Sequence, residues 1–468
     1  MGFLAVLNAY TMRIALSVAI TEMVIKKNHT NGPADDTCPD PSMPGGGVSP
    51  GIPGDRFDWD EETQGLILSS FYWGYVITHM PGGILAEKFG GKYSLGLGIL
   101  STAIFTLLTP VVARTGDWGW LCFLRVCVGL GEGTTFPALN AILAKWVPLS
   151  ERSRIGSLTF AGSLLGTVIG NAVSGVLIEA TQDWGSVFYL FGGLGVLWFI
   201  IWTFLCYSDP DSHPFISDKE KIFLEKELAS VSKQKKDIPW KAIFTSVPLW
   251  ALIAAQIGHD WGFFTMVTDL PKYMSDVLKY NISDSGTLSA IPYVVMWFVS
   301  IGSGWLCDWL IKKNYMGITF ARKFFTTVAS IGPGIFMLAA SYAGCDGTLT
   351  VVLFTIAMGF MGTFYCGMKV NALDLSPNFA GTCMAIVNGI GAISGIITPY
   401  LIGALTEDHT LTQWRLVFWI TLGVLIVTNI IYIIFASGEE QWWNTVGSTG
   451  PIESSTYKED QSKSENKY

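Results

Sequence analysis

The chain has 468 residues, half of them hydrophobic and only 14% charged, with a mean hydropathy of +0.42. A soluble globular chain carries about a quarter charged residues, so this composition excludes an ordinary soluble domain. The net charge of −8 says little about partners. Much of it comes from one loop, where Asp35, Asp36, Asp40, Asp55, Asp58, Asp60, Glu61 and Glu62 outnumber Lys26, Lys27 and Arg56. That acidity reads as a solvated loop, and no nucleic-acid partner is expected.

Apolar runs of about 20 residues, enough to cross a bilayer core, recur along the whole chain. They predict twelve transmembrane helices at about 2–25, 63–86, 93–113, 118–139, 155–178, 185–207, 248–271, 285–309, 321–344, 348–371, 380–405 and 413–436. Backbone groups in lipid must satisfy one another, which leaves helices as the sensible form. The first run lacks a basic start and a clear small-residue cleavage site and contains Arg13, so it reads as a span and not a signal peptide. Val6 stands where myristoylation wants Ser or Thr. The chain begins almost inside this helix, which leaves a preceding cytosolic leader an open alternative. The loop 26–62 carries Cys38 and the glycosylation sequon Asn28-His29-Thr30.

The second span contains Tyr75 and runs into "GILAEKFGGK", with Gly83, Glu87, Lys88, Gly90 and Lys92. In the fourth span, "FLRVCVGLGEGTTFP" holds Arg125 and Glu132. The fifth reads "GSLLGTVIGNAVSG", whose glycines suit close helix packing. A linker, "SDKEKIFLEKELASVSKQKKDIPW", has a capping box at Ser217 and Glu220 and predicts a short surface helix. The seventh span carries His259 and Asp260; the sequon Asn281-Ile282-Ser283 follows it. After the eighth comes "GWLCDWLIKK", with Gly304, Asp308, Lys312 and Lys313. Cys345 lies between the ninth and tenth spans, and Lys369, Asn371 and Asp374 lie in or near the tenth. A polar, Ser-rich tail closes the chain and reads as disordered.

If the loop after the second span faces the cytosol, most Lys and Arg fall on the cytosolic side, as the positive-inside rule requires. Both sequons then face the opposite compartment, with Asn281 the better acceptor because Asn28 sits close to the first span. Cys38 and Cys345 face that compartment too, where a disulfide persists; a Cys38–Cys345 bridge and two free thiols both remain open. The reading divides the chain into a six-helix half at 1–207, a cytosolic linker at 208–247, a second six-helix half at 248–436 and a cytosolic tail at 437–468.

The loops after the second and eighth spans match: a small residue, three residues, an acid, then basic residues. Such a loop can hold helices together through charge-assisted bonds that break when the halves move. A charge at mid-bilayer costs about 2.5–3.5 kcal/mol on insertion scales, so it usually faces a cavity and has a task. Arg125 and Glu132 are seven apart, two helical turns, and point to nearly the same side. Glu132 can neutralise Arg125 or take up a proton. No nucleophile–base pair, metal cluster or nucleotide loop is visible, so neither an enzyme nor a cofactor is expected.

The matched loops resemble those of the major facilitator superfamily. More narrowly, "FYWGYVITHMPGGILAEKFGGK", "GLGEGTTFPALNAILAKWVPLSERSR" and "LDLSPNFAGTCMAIVNGI" look like its anion:cation symporter family, which includes sialin, the vesicular glutamate transporters and type I sodium–phosphate cotransporters. "GLGEGTTFPALN" and "SDPDSHPFI" resemble insect members described as "putative inorganic phosphate cotransporters". The resemblance implies an all-α membrane fold of twelve helices in two six-helix halves, working as a monomer. It implies symport of a small anion, inorganic phosphate or an organic anion, with Na+ or H+. It also places the first, fourth, seventh and tenth helices around a central cavity, so Arg13 and Arg125 become the expected anion ligands. Tyr75 matches a cavity tyrosine and becomes a substrate contact, while Glu132 and His259 become candidates for coupling. Leu68, Val128 and Phe136 depart from residues of the glutamate transporters or of sialin, which weakens both of those specific readings. A proton-coupled lysosomal exporter like sialin, or an anion receptor or channel without coupling, stays as the alternative. The membrane is the plasma membrane or a lysosomal or vesicular one, with a cytosolic C-terminus.

Overall fold

A computed structural model of the chain describes residues 1–25, 38, 56–147, 152–228, 238–376, 379–408 and 410–444. Among these residues the regular secondary structure is helical, apart from one isolated bridge between Val24 and Phe57. Each of the twelve expected spans coincides with a helical stretch. Ten helices are long and apolar enough to cross a bilayer on length and composition alone. The second, Glu61–Phe89, and the seventh, Val247–Lys272, are equally long but more polar. Large apolar side chains point outward, with Phe204 73% and Trp305 76% exposed. An outer surface of this kind suits lipid and not water.

Small residues let the inner helices touch. A Cβ on Gly129 would strike the carbonyl oxygen of Phe71, so glycine is what brings the second and fourth spans into backbone contact. Four spans expected to be continuous are interrupted instead. The fourth runs Trp118–Glu132 and resumes at Thr135–Trp146. Pro137 lacks the N–H that would bond the Gly133 carbonyl, so the ladder fails there. The fifth splits into Arg152–Phe160 and Gly162–Thr181. The tenth comprises Gly347–Met361, a 3-10 turn at Gly362–Tyr365, and Met368–Leu375. The eleventh splits into Ala380–Gly391 and Ser394–Leu405. The fourth and fifth spans of one half thus share their breaks with the tenth and eleventh of the other. Interruptions at matching places in two halves mark where a transporter builds its site.

The two halves meet chiefly at the end where Cys38 and Cys345 lie. There the second span packs on Ser394–Leu405, and Gly162–Thr181 packs on the eighth span, Ile282–Lys312. Gly175 makes the latter approach possible, since a Cβ there would sit 2.6 Å from the Ile282 carbonyl oxygen. Cys38 and Cys345 are bonded to each other, 307 residues apart in sequence with Cα atoms 5.4 Å apart, so the link crosses from one half to the other. At the opposite end Thr135–Trp146 and Met368–Leu375 pack mainly within their own halves. The conformation is therefore one sealed at the disulfide end.

Two expectations change. Glu61 does not belong to a solvated acidic loop: it opens the second helix, is 6% exposed, and pairs with Lys272 of the seventh span. The start of the tail is packed and not disordered, because Trp443 is fully buried and the Gln441 N–H donates to the Leu375 carbonyl at 2.8 Å. The linker helix, Asp218–Leu228, forms where the capping residues predicted it, with the Glu220 N–H donating to Ser217 Oγ at 3.2 Å.

Candidate functional site

Arg13 lies in the middle of the first helix, Gly2–Met23, and is 5% exposed. Its Nη2 donates to Glu132 Oε1 at the end of the first segment of the fourth span. Sequence spacing pointed to an Arg125–Glu132 pair; the structure makes Arg13 the partner instead, because the first and fourth spans face each other across the half. Four aromatic rings surround the Arg13 guanidinium: Tyr10 at 4.5 Å, Phe71 at 4.7 Å, Tyr75 at 5.0 Å and Tyr72 at 5.9 Å from its Cζ. Tyr75 therefore stands at the site as an aromatic wall.

Arg125 is 4% exposed and sits against the same Phe71 ring, its Cζ 5.1 Å from the centroid. Both guanidiniums thus converge on one phenyl ring. Arg125 forms no ion pair among the described residues, and its Nε is buried without a hydrogen-bond partner. The second oxygen of Glu132, Oε2, is also buried without a partner. Two cations and one carboxylate leave this wall with a surplus positive charge.

The facing wall comes from the second half. His259 Nδ1 lies 3.3 Å from Asp260 Oδ1, and the imidazole stacks on Phe364 with centroids 3.5 Å apart. Gln256 Nε2 donates to the same Asp260 oxygen at 2.7 Å. Lys369 Nζ donates to Gln256 Oε1 at 3.3 Å and to Asn388 Oδ1 at 2.5 Å. The interrupted tenth span carries Lys369 and Phe364, and the interrupted eleventh carries Asn388. The first helix packs on the seventh, and Tyr72, which flanks Arg13, lies with its ring 4.6 Å from that of Phe264, one turn along the seventh span from Asp260. The two walls therefore face one space between the halves.

The remaining sequence candidates lie elsewhere. Gly90 has φ +89°, and a Cβ there would stand 2.5 Å from Ser208 Oγ, so glycine is required on both counts. Next to it the Lys92 N–H donates to Ser208 Oγ at 3.2 Å, and the lysine Nζ lies over the Tyr207 ring at 4.1 Å. This loop is thereby fastened to the segment that leaves the sixth span. Gly83 lies against Pro137 of the fourth span. Glu87 and Lys88 lie on the second helix, and their side chains fall outside the described residues. Asp308 is exposed, and the ion pair in its neighbourhood joins Arg322 Nε to Asp374 Oδ2 at 2.7 Å. Asn281 is exposed and caps the eighth helix, its Oδ1 accepting from the Asp284 N–H at 2.8 Å. Asn28 falls outside the described residues.

Sequence reasoning missed several participants. Nothing in the sequence marked Phe71 or Tyr10, or showed that two arginines would share one ring. Gln256 and Asn388 carry no charge to draw attention in an apolar run. Lys272 was the one findable signal: a lysine in a membrane span is costly, and its partner Glu61 is a helix-start residue.

The family model for the Major Facilitator Superfamily matches residues 2–399. The chain is 41% identical over 456 residues to a Drosophila ananassae protein named "Putative inorganic phosphate cotransporter", covering 95% of this chain and 93% of that one. It is 39% identical to human sialin over 448 residues, covering 95% and 89%. The chain belongs to the anion:cation symporter family of the major facilitator superfamily. Among solved structures, a D-xylose–proton symporter aligns with a TM-score of 0.67 at 12% identity, covering 94% of this chain and 98% of that one. At that identity the likeness shows the fold alone. Its relatives make this major facilitator protein a membrane transporter, and the site just described is where its halves face each other.

Proposed function

We propose that this transporter is a symporter of small anions, inorganic phosphate or an organic acid, driven by Na+ or H+ through alternating access. The observation that carries this reading is Arg125, a buried guanidinium with no acidic partner among the described residues. Arginine stays protonated in proteins and presents a planar fork, so it favours a carboxylate or phosphate that accepts paired hydrogen bonds.

Arg13 differs, because Glu132 already holds it. An anion that recruits Arg13 displaces Glu132 and leaves a buried carboxylate without a counter-ion. An uncompensated buried charge costs several kcal/mol, so the anion enters readily only with a cation to take Glu132. Cation and anion loading are thereby linked, which is the requirement for symport. Rocking the halves about this site would then expose it alternately to each side, with Gly83, Glu87, Lys88, Gly90, Lys92 and Asp308 in the loops that regulate that motion. His259, stacked and held to Asp260, is the second candidate for coupling. The distribution of Lys and Arg supports a cytosolic C-terminus, in the plasma membrane or a lysosomal or vesicular one, and supports Asn281 on the opposite side.

The test is uptake into proteoliposomes of phosphate, sialate, acidic amino acids and urate under an imposed Na+ or H+ gradient. One of these anions should accumulate above equilibrium with one of the gradients. Anions that only equilibrate, whatever the gradient, would make the protein a channel or receptor.

A further inference from the structure

The C-terminal wall holds a cation that the proposal above does not use. Lys369 is half-buried, and both of its hydrogen-bond partners are neutral amides, Gln256 Oε1 and Asn388 Oδ1. It forms no ion pair among the described residues. The nearby carboxylate of Asp260 is kept from it by Gln256, which donates to Asp260 with one end and accepts from Lys369 with the other. An ammonium has three donors, so two amides leave one hydrogen free. The Phe364 ring lies 5.5 Å from Nζ.

A charge in this position is expensive in a membrane, and two amides recover only part of its lost hydration. A direct Asp260 contact would neutralise it, yet the amide stands between them. Its surroundings also differ from those of its neighbours: Gln256, His259 and Asp260 are buried, whereas Lys369 is partly open. The first helix packs on the seventh, and Tyr72, beside the Arg13 guanidinium, lies ring to ring with Phe264 of that helix at 4.6 Å, so the wall of the two guanidiniums and the wall of this ammonium adjoin from opposite halves.

We propose that Lys369 is a second anion-binding pole, so that the preferred solute is doubly charged and bridges Arg125 of one half to Lys369 of the other. This rests on the anion-symport reading and narrows its substrate class to a dicarboxylate or hydrogen phosphate. A bridging dianion ties the two walls together, as passage through an occluded state requires. A monoanion satisfies one wall and leaves the other charge unpaired.

The test measures thermal stabilisation of the purified full chain by succinate, hydrogen phosphate and butyrate; succinate and butyrate share a carbon count and differ by one carboxylate. For the wild type, succinate and phosphate should act at concentrations about tenfold or more below butyrate, the worth of one charge-assisted hydrogen bond. Lys369→Met should bring the succinate-to-butyrate ratio to near one, and Lys369→Arg should restore it. Gln256→Glu gives the lysine a carboxylate partner without removing it, and should lose the preference in the same way; it decides the matter if Lys369→Met fails to fold. An unchanged ratio in a folded Lys369→Met or Gln256→Glu protein would overturn the proposal. Wild-type protein that binds butyrate as well as succinate would also overturn it while leaving the anion site standing. Wild-type protein stabilised by none of the three would sink the anion reading itself.

Discussion

The two walls of the site carry similar charges but connect them differently. In the N-terminal half Arg13 touches Glu132 directly, inside a ring of four aromatic side chains. In the C-terminal half Lys369 reaches Asp260 only through the Gln256 amide. Magnitudes say what each arrangement can do. Cation–π contacts are worth about 0.5–2 kcal/mol each, whereas losing one partner of a buried ion pair costs about 3–5 kcal/mol. The rings therefore set the plane of Arg13 while Glu132 sets its position, and a guest has to compete with Glu132. An amide bridge asks for no such exchange. Within the N-terminal wall the Arg13–Glu132 pair is placed to register that a guest has arrived, whereas Arg125 and, across from it, Lys369 have no acid to give up in receiving it.

Five substitutions separate these roles, from strong to weak. Arg13→Ala and Arg125→Ala should each lower anion uptake about a hundredfold or more, as truncating one partner of a buried charge pair does, with membrane insertion intact by surface labelling. Normal uptake in both would erase the distinction between the walls. Glu132→Gln keeps the shape and removes the charge that the coupling cation would satisfy. Anion equilibration should survive in that variant while gradient-driven accumulation falls about tenfold, which uptake with and without the cation gradient would reveal. Lys272→Met acts away from both walls, at the seal with Glu61. It should favour opening at the disulfide end and raise thiol labelling of cysteines introduced there a few-fold; labelling equal to wild type would show that helix packing alone holds the seal. His259→Gln should change uptake at one pH by about twofold or less and shift the pH profile, and a superimposable profile would leave His259 a packed ring on Phe364.

The sequence made the fold legible because its signals are repeated and cheap to read: apolar runs of bilayer length, matched loops after the second and eighth spans, and a lopsided distribution of Lys and Arg. Charged residues in those runs pointed to the first and fourth helices for the same energetic reason. The pairing was not legible. Spacing favours neighbours on one helix, so Glu132 was matched to Arg125, whereas inter-helix distance decides and gives it to Arg13. The Glu61–Lys272 pair was hidden because the polar start of a helix looks like loop until its partner is in view. Breaks in the fourth, fifth, tenth and eleventh helices were readable only in part, since Pro137 marks one of them but small residues occur throughout the chain.

The account turns on whether a guest anion takes Arg13 from Glu132. A structure of the protein determined with its transported anion bound tests this most directly. The account predicts the anion against Arg125 and Arg13, with Glu132 separated from the arginine and its carboxylate met by a cation or a proton. An anion bound elsewhere, with the Arg13–Glu132 contact unbroken, would contradict it.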